Sequence, residues 1–266
     1  MNYLNGFKNF DIVDKTGQTI PFIPNKPQEQ FLDDMSGKDV ILKARQIGFS
    51  SLILGIFTLD FLLVENSRSV CISHDATSAT KLLDRVRFYI KSAEEKGLQV
   101  NLKYNSRVEL VNQDKNSTFY LGQAGSKSFG RGDTLNNLHL SEFAFYEDQE
   151  RLLAGILQAV VPNGRVIIES TANGMNYYKK FWDDSKAGLK GFKTHFYDNS
   201  FYSDQFLAQK RMELGDELFK QEYPATDIEA FLSSGNPFFD REALKHYLDS
   251  IQEPFQTYNT YHDLLI

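Results

Sequence analysis

Short apolar runs and longer amphipathic stretches alternate along most of this chain. Residues 39–43, Asp39-Val40-Ile41-Leu42-Lys43, form a compact apolar run that predicts a strand. Residues 48–64 are apolar nearly throughout, interrupted by Asp60, which predicts a helix buried on most sides. Residues 69–73, carrying Cys71, predict a second strand. Asp75 or Thr77 can cap the helix that follows, whose Leu82, Leu83, Val86 and Ile90 recur at helical spacing. Residues 108–111 and 118–121 flank a polar turn and predict an antiparallel hairpin inserted into the pattern. A strand at 138–141, a helix at 148–161, a strand at 165–170, a helix at 175–185 and a strand at 192–197 continue the alternation.

Alternating strand and helix units imply an α/β fold of three layers, with a mostly parallel central sheet covered on both faces. Residues 1–38 form a lead-in broken by Gly6, Gly17, Pro21, Pro24 and Pro27, with a short helical stretch at 28–35. After Asn199 the texture turns helical and polar, predicting helices over 204–214, 216–223 and 240–250. The expected division is a lead-in and α/β core over 1–198 and a small helical lid and linker over 199–266.

Composition narrows the function classes. A chain of 266 residues with 14% aromatics can bury a sizeable core, and its single cysteine cannot form an internal disulfide, which fits a reducing compartment. The longest apolar run, 52–64, is too short to span a bilayer, and the N-terminus lacks the charged, apolar and small-residue order of a signal peptide. A net charge of −6 argues against holding nucleic acid by broad charge neutralisation, so any DNA contact is local or transient.

The first strand stops at Lys43-Ala44-Arg45-Gln46-Ile47-Gly48-Phe49-Ser50-Ser51, a polar turn opening into the apolar helix. That is the layout of a phosphate-binding loop, in which backbone amides and a helix N-terminus surround a polyphosphate and a Ser or Thr hydroxyl ligates Mg2+. Against G-x-x-x-x-G-K-[ST], the chain keeps Gly48 and Ser50 but has Lys43 at the first Gly and Phe49 at the Lys. Lys43 and Arg45 can both reach the β- and γ-phosphate region. A strand, a turn with two solvated basic residues and a buried helix is the plain alternative.

In α/β sheets ligands bind beyond the carboxyl ends of strands, so the other strand ends matter. The 138–141 strand ends in Ser141-Glu142, where nucleotide hydrolases usually place Asp-Glu. Glu142 fits the water-activating carboxylate, whereas Ser141 can touch Mg2+ through a water but adds no charge. The 165–170 strand leads into Thr171-Ala172-Asn173-Gly174, where Thr171 and Asn173 could sense the γ-phosphate.

These stretches, in this order, resemble the ATPase domain of the large terminase subunits of tailed double-stranded DNA phages, over about residues 25 to 245. Arg45-Gln46-Ile47-Gly48-Phe49-Ser50 is similar to the family's R-Q-[LI]-G-x-[ST] loop, in which the lysine is often displaced as Lys43 is here. Ser73-His74-Asp75 with Ala79, Leu83 and Arg85 looks like the segment after the second strand. Ser170 to Gly174 with Tyr178 and Trp182 looks like the coupling motif, although core packing is the better account of the two aromatics.

The resemblance implies an ASCE-type P-loop NTPase fold and an ATP- and Mg2+-dependent hydrolase that drives double-stranded DNA into a procapsid. It implies that Gln28, or Gln30, reads the adenine edge, and that Arg131 in Ser128-Phe129-Gly130-Arg131-Gly132 is an arginine finger acting in trans, with Arg45 its competitor in cis. Amides of Ala44 to Ser51, with Lys43 and Arg45, would hold phosphates, and Ser50 the metal. It further implies a homo-oligomeric ring on the portal, a small terminase subunit as partner, a nuclease domain absent from this chain, DNA contacts on the helix bearing Arg85, Arg87 and Lys91, and a location in the host cytoplasm without membrane attachment. A helicase-like ATPase and a nucleotide-binding scaffold without turnover are the alternatives.

Overall fold

The structure is a computed structural model and describes residues 2–123, 134–233, 246, 247 and 250. A short helix α1 (Tyr3–Phe7), an antiparallel pair β1 (Asp11–Val13) and β2 (Thr19–Pro21), and helix α2 (Lys26–Asp34) precede the main sheet. The lead-in therefore contains a hairpin that its sparse periodicity did not reveal. Asp14 in the turn explains it: its carboxylate accepts from the amides of Thr16 and Gln18, an Asx-type closure.

The core follows in the expected alternation: β3 (Lys38–Lys43), α3 (Phe49–Leu63), β4 (Arg68–Ser73), α4 (Ala76–Glu95), β5 (Leu102–Asn105), β6 (Glu109–Asn112), β7 (Ser117–Gln123), β8 (Leu135–Ser141), α5 (Gln149–Leu157), β9 (Val160–Ser170), α6 (Tyr177–Lys186) and β10 (Lys193–Tyr197). Asp75 caps α4 by accepting from the Ser78 amide. The 148–161 helix is shorter than expected because Val160, Val161 and Pro162 belong to the start of β9, where β-branching favours a strand and proline cannot continue a helix.

Eight strands lie in the order β10-β3-β9-β8-β4-β7-β6-β5. The first six run parallel, and β6 and β5 extend the far edge antiparallel. The predicted hairpin is the β6-β7 pair, but β7 also pairs in parallel with β4, so the hairpin is continuous with the sheet. Strand β9 sits between β3 and β8. It thereby brings three strand ends that are far apart in sequence side by side.

Alternate strand residues divide between two cores. Ile41, Cys71 and Ile167 face α3 and α4, whereas Val40, Leu42, Val70, Ile72, Val166 and Ile168 face α5, α6 and the helix α8 (Asp227–Leu232). Asp60, the interruption in α3, is buried, ion-paired with Arg165 and hydrogen-bonded by Asn137 at 3.0 Å. The span α7 (Asp204–Glu222) holds two helical stretches that match those predicted at 204–214 and 216–223 to within a residue, and Gly215 between them has φ 74° and ψ 164°, outside helical space. The break is therefore real, and only glycine adopts that backbone readily. Most of the helix predicted at 240–250 lies outside the described residues. Among the described residues no helix is long and apolar enough to cross a membrane.

Candidate functional site

The loop after β3 is held from four sides. Ala44 N–H donates to Tyr197 O and Arg45 N–H to Glu222 O, both at 2.8 Å, so these two amides, expected to face phosphates, are already spent on β10 and α7. By contrast, the amides of Gln46, Ile47, Gly48, Phe49, Ser50 and Ser51 have no acceptor among the described residues. Gly48 is left-handed, with φ 93° and ψ 17°, and gives α3 no side-chain cap. An uncapped N-terminus of a 15-residue helix with consecutive unpaired amides is suited to an anion.

Phe49, where the usual pattern has lysine, is buried. Its ring lies tilted at 4.5 Å from that of Tyr197 and edge-on at 5.7 Å from that of Phe31. Position 49 thus points into the core, which explains why the cation lies elsewhere. Gln28 is also buried, with its amide engaged at both ends: Oε1 accepts from Asn25 N–H at 2.9 Å and Nε2 donates to Gly48 O at 2.8 Å. Here Gln28 braces the loop, together with Asn25 Nδ2 on Ile47 O.

Lys43 is 4% exposed and lies between two carboxylates, 3.0 Å from Glu142 Oε1 and 3.1 Å from Glu169 Oε2. Burial opposes its charge, but the two carboxylates outweigh burial and raise its pKa. Arg45 is placed differently: its side chain is half exposed and pairs with Glu222 at 3.1 Å on the end of α7. Of the two candidate loop cations, Lys43 is the one inside the cluster.

Glu142 follows β8 in left-handed geometry, φ 55° and ψ 47°, and its side chain is 31% exposed. Its Oε2 accepts from Thr171 N–H at 3.3 Å and Ser170 Oγ at 3.4 Å. Thr171 therefore reaches the cluster through its backbone. Asn173 does not: its Nδ2 donates to Ala144 O, in the 3-10 turn after Glu142, at 3.2 Å.

The residue that sequence reasoning passed over is Glu169, fully buried on β9. Its Oε1 accepts from Ser50 Oγ at 2.7 Å and Ser141 Oγ at 2.9 Å, with His139 Nε2 at 3.3 Å. Burial pushes this carboxyl up, but Lys43, His139 and Ser50 outweigh it and hold the group well below the usual carboxylate range. His139 is raised to about 9, because Cys71 and Glu169 more than offset its desolvation. Oε2 of Glu169 has the Lys43 ammonium nearby but no aligned hydrogen bond, so a buried acceptor remains unspent beside Ser50. The available signal was a charged residue inside the apolar run Ile167-Ile168-Glu169.

Among the described residues no group of three or more His, Cys, Asp or Glu is arranged to hold a metal ion. A cation here would depend on a bound phosphate, the Ser50 hydroxyl and the unspent acceptor on Glu169. Arg131 lies outside the described residues. Arg87 is engaged with Asp84 and Asn105, and Lys91 sits 3.7 Å from Glu95, so two of the three expected DNA-contacting side chains already have protein partners. Tyr178 and Trp182 are buried in the core, with Tyr178 OH donating to Ile41 O at 2.7 Å.

No protein-family model matches the chain. The fold is similar to the large terminase ATPase domain of Thermus phage P74-26, at 18% identity and a TM-score of 0.64, covering 76% of this chain and 93% of that one. It is also similar to the large terminase of bacteriophage HK97, at 17% identity and a TM-score of 0.66, covering 91% of this chain and 57% of that one. The large terminase of a thermophilic bacteriophage, in complex with ADP, matches at 13% identity and a TM-score of 0.58, covering 76% of this chain and 53% of that one. This chain thus spans little more than half of the latter two proteins. Together these likenesses establish the fold: a three-layer α/β architecture around a mostly parallel central sheet, on the plan of the solved large-terminase ATPase domains.

Proposed function

We propose that this chain is the Mg2+-dependent ATPase motor domain of a phage large terminase subunit, hydrolysing ATP to move double-stranded DNA into a procapsid. The observation that carries the reading is the convergence of a buried lysine and an uncapped helix N-terminus at the end of β3 with a partly exposed carboxylate at the end of β8, the two strands that flank β9. A similar fold binds ADP in the thermophilic phage's terminase.

Gln46 to Ser51 would cradle the phosphates through their amides, and Lys43 would pair with the β- and γ-phosphate region. The Ser50 hydroxyl would hold Mg2+ against the nucleotide, with Ser141 behind it. Mg2+ supplies neutralisation of phosphate charge. Glu142 accepts a proton from the attacking water. Its Oε1 is bound to Lys43, so a polyphosphate that draws Lys43 away also releases the base. Neighbouring residues Gln221 and Glu222 on α7 contact Ala172 O and Arg45 respectively, which ties the strand-end loops to the helical unit proposed over 199–266. Nucleotide state would pass to the lid by that route.

The wider reading comprises a ring on the portal, in the host cytoplasm, with a small terminase subunit and a nuclease domain as partners and Arg131 completing a neighbour's site. It is tested by phosphate release across a protein-concentration series with double-stranded DNA, single-stranded DNA or neither. A steep rise in specific activity, stimulated by duplex and lost in Arg131→Ala, supports it. Stimulation by single strands alone favours the helicase-like alternative.

A further inference from the structure

Ser141 stands where nucleotide hydrolases usually carry a metal-orienting carboxylate, and a buried carboxylate lies beside it on the next strand. Ser141 and Glu169 are directly opposed on the neighbouring parallel strands β8 and β9. Moving a carboxylate between them is a lateral step of about 4.8 Å, and Glu is one methylene longer than Asp. Both hydroxyls of the expected metal site, Ser50 and Ser141, donate to the same oxygen, Glu169 Oε1.

Charge balance points the same way. Lys43 and His139 face Glu142 and Glu169. A polyphosphate entering the loop adds negative charge and competes for Lys43, which leaves the fully buried Glu169 with His139 and two hydroxyls and favours a further cation beside it. A serine that donates its proton to Glu169 also keeps its oxygen lone pairs for that cation. Glu169 Oε2, buried without an aligned hydrogen bond, is an acceptor for the cation's water shell.

We propose that Glu169 is the acidic residue of the metal site, relocated from β8 to β9, and that it orients Ser50 and the hydration shell of a nucleotide-bound divalent cation. It is a positioning residue, and the inference rests on the ATP-site reading above.

The test is the affinity for ATPγS with Mg2+ divided by that with EDTA, measured by isothermal titration. Glu169→Gln is expected to reduce this ratio at least about tenfold, as for outer-shell metal partners, with EDTA affinity unchanged or higher. Restoring the charge across the register in Ser141→Asp/Glu169→Gln is expected to recover most of the ratio. Glu169→Asp keeps the charge that the buried cluster needs, so it folds even if Glu169→Gln does not, and its withdrawn carboxylate should still lower the ratio severalfold. An unchanged ratio in these single variants, or an equal loss with and without Mg2+, overturns the inference and leaves Glu169 as a counter-ion for Lys43. Failure of the wild type to bind ATPγS under either condition overturns the ATP-site reading itself.

Discussion

Lys43 Nζ lies 3.0 Å from Glu142 Oε1, although the two residues are 99 positions apart, so the loop cation and the carboxylate after β8 neutralise each other. With Glu169 on its other side, Lys43 is the keystone of a buried ionic cluster and, on the reading proposed above, also a phosphate ligand. Lys43→Met should abolish ATP binding and also destabilise the fold by about 3–5 kcal/mol, the usual cost of leaving buried charge uncompensated. Urea unfolding, run beside a nucleotide titration, measures both; full stability in the variant would contradict the keystone role.

Reinstating the usual loop lysine should do harm. Phe49→Lys places an ammonium among Phe31 and Tyr197, and it should cost about 3–5 kcal/mol without rescuing nucleotide binding in Lys43→Met. Rescue would mean that position 49 can turn outward to the phosphates.

Coupling through α7 has a separable readout. In the wild type, ATPγS should change hydrogen-exchange protection at the end of α7. In Gln221→Ala/Glu222→Ala that response should disappear while ATPγS affinity stays within about threefold, each lost contact being a modest hydrogen bond or partly exposed ion pair. An unaltered α7 response in the variant would remove these two contacts from the route.

Trp182 Nε1 donates to Asp227 Oδ2 at 3.2 Å, and Lys186 pairs with the same oxygen, joining α6 to α8. Burial pushes the Asp227 carboxyl up, but Lys186 and the Trp182 indole outweigh it, and its pKa lies below 3.8. A depressed carboxyl stabilises the fold above its unfolded value and loses that contribution as pH falls through the folded value. Fluorescence of Trp182, the single tryptophan, should therefore change below about pH 3.8. In Lys186→Gln the transition should move to higher pH.

Features encoded by local pattern were legible in the chain. Val40-Ile41-Leu42 against Ser50 onward marked the strand, turn and helix of the loop, Asp75 marked a cap, and Gly215 marked the break in α7. Contacts between distant strands were not. Glu169 becomes chemically prominent only when β9 lies between β3 and β8 and sets it opposite Ser141 and beside Lys43. Gln28 carried the right residue type for a ligand contact, but its burial and bonds to Asn25 and Gly48 arise from the approach of α2 to the loop. Arg45 and Glu222 meet across 177 positions, a pairing no local pattern contains.

The central claim, that this cluster hydrolyses ATP through Glu142, is tested most directly by comparing phosphate release from Mg-ATP in wild type and Glu142→Gln, with ATP affinity measured on the same samples. The account predicts turnover in the wild type and a loss of at least about a hundredfold in the variant, as for removal of a general base, with ATP binding preserved. Turnover that survives Glu142→Gln, or bound ATP that the wild type never hydrolyses at any concentration with duplex DNA present, would contradict it.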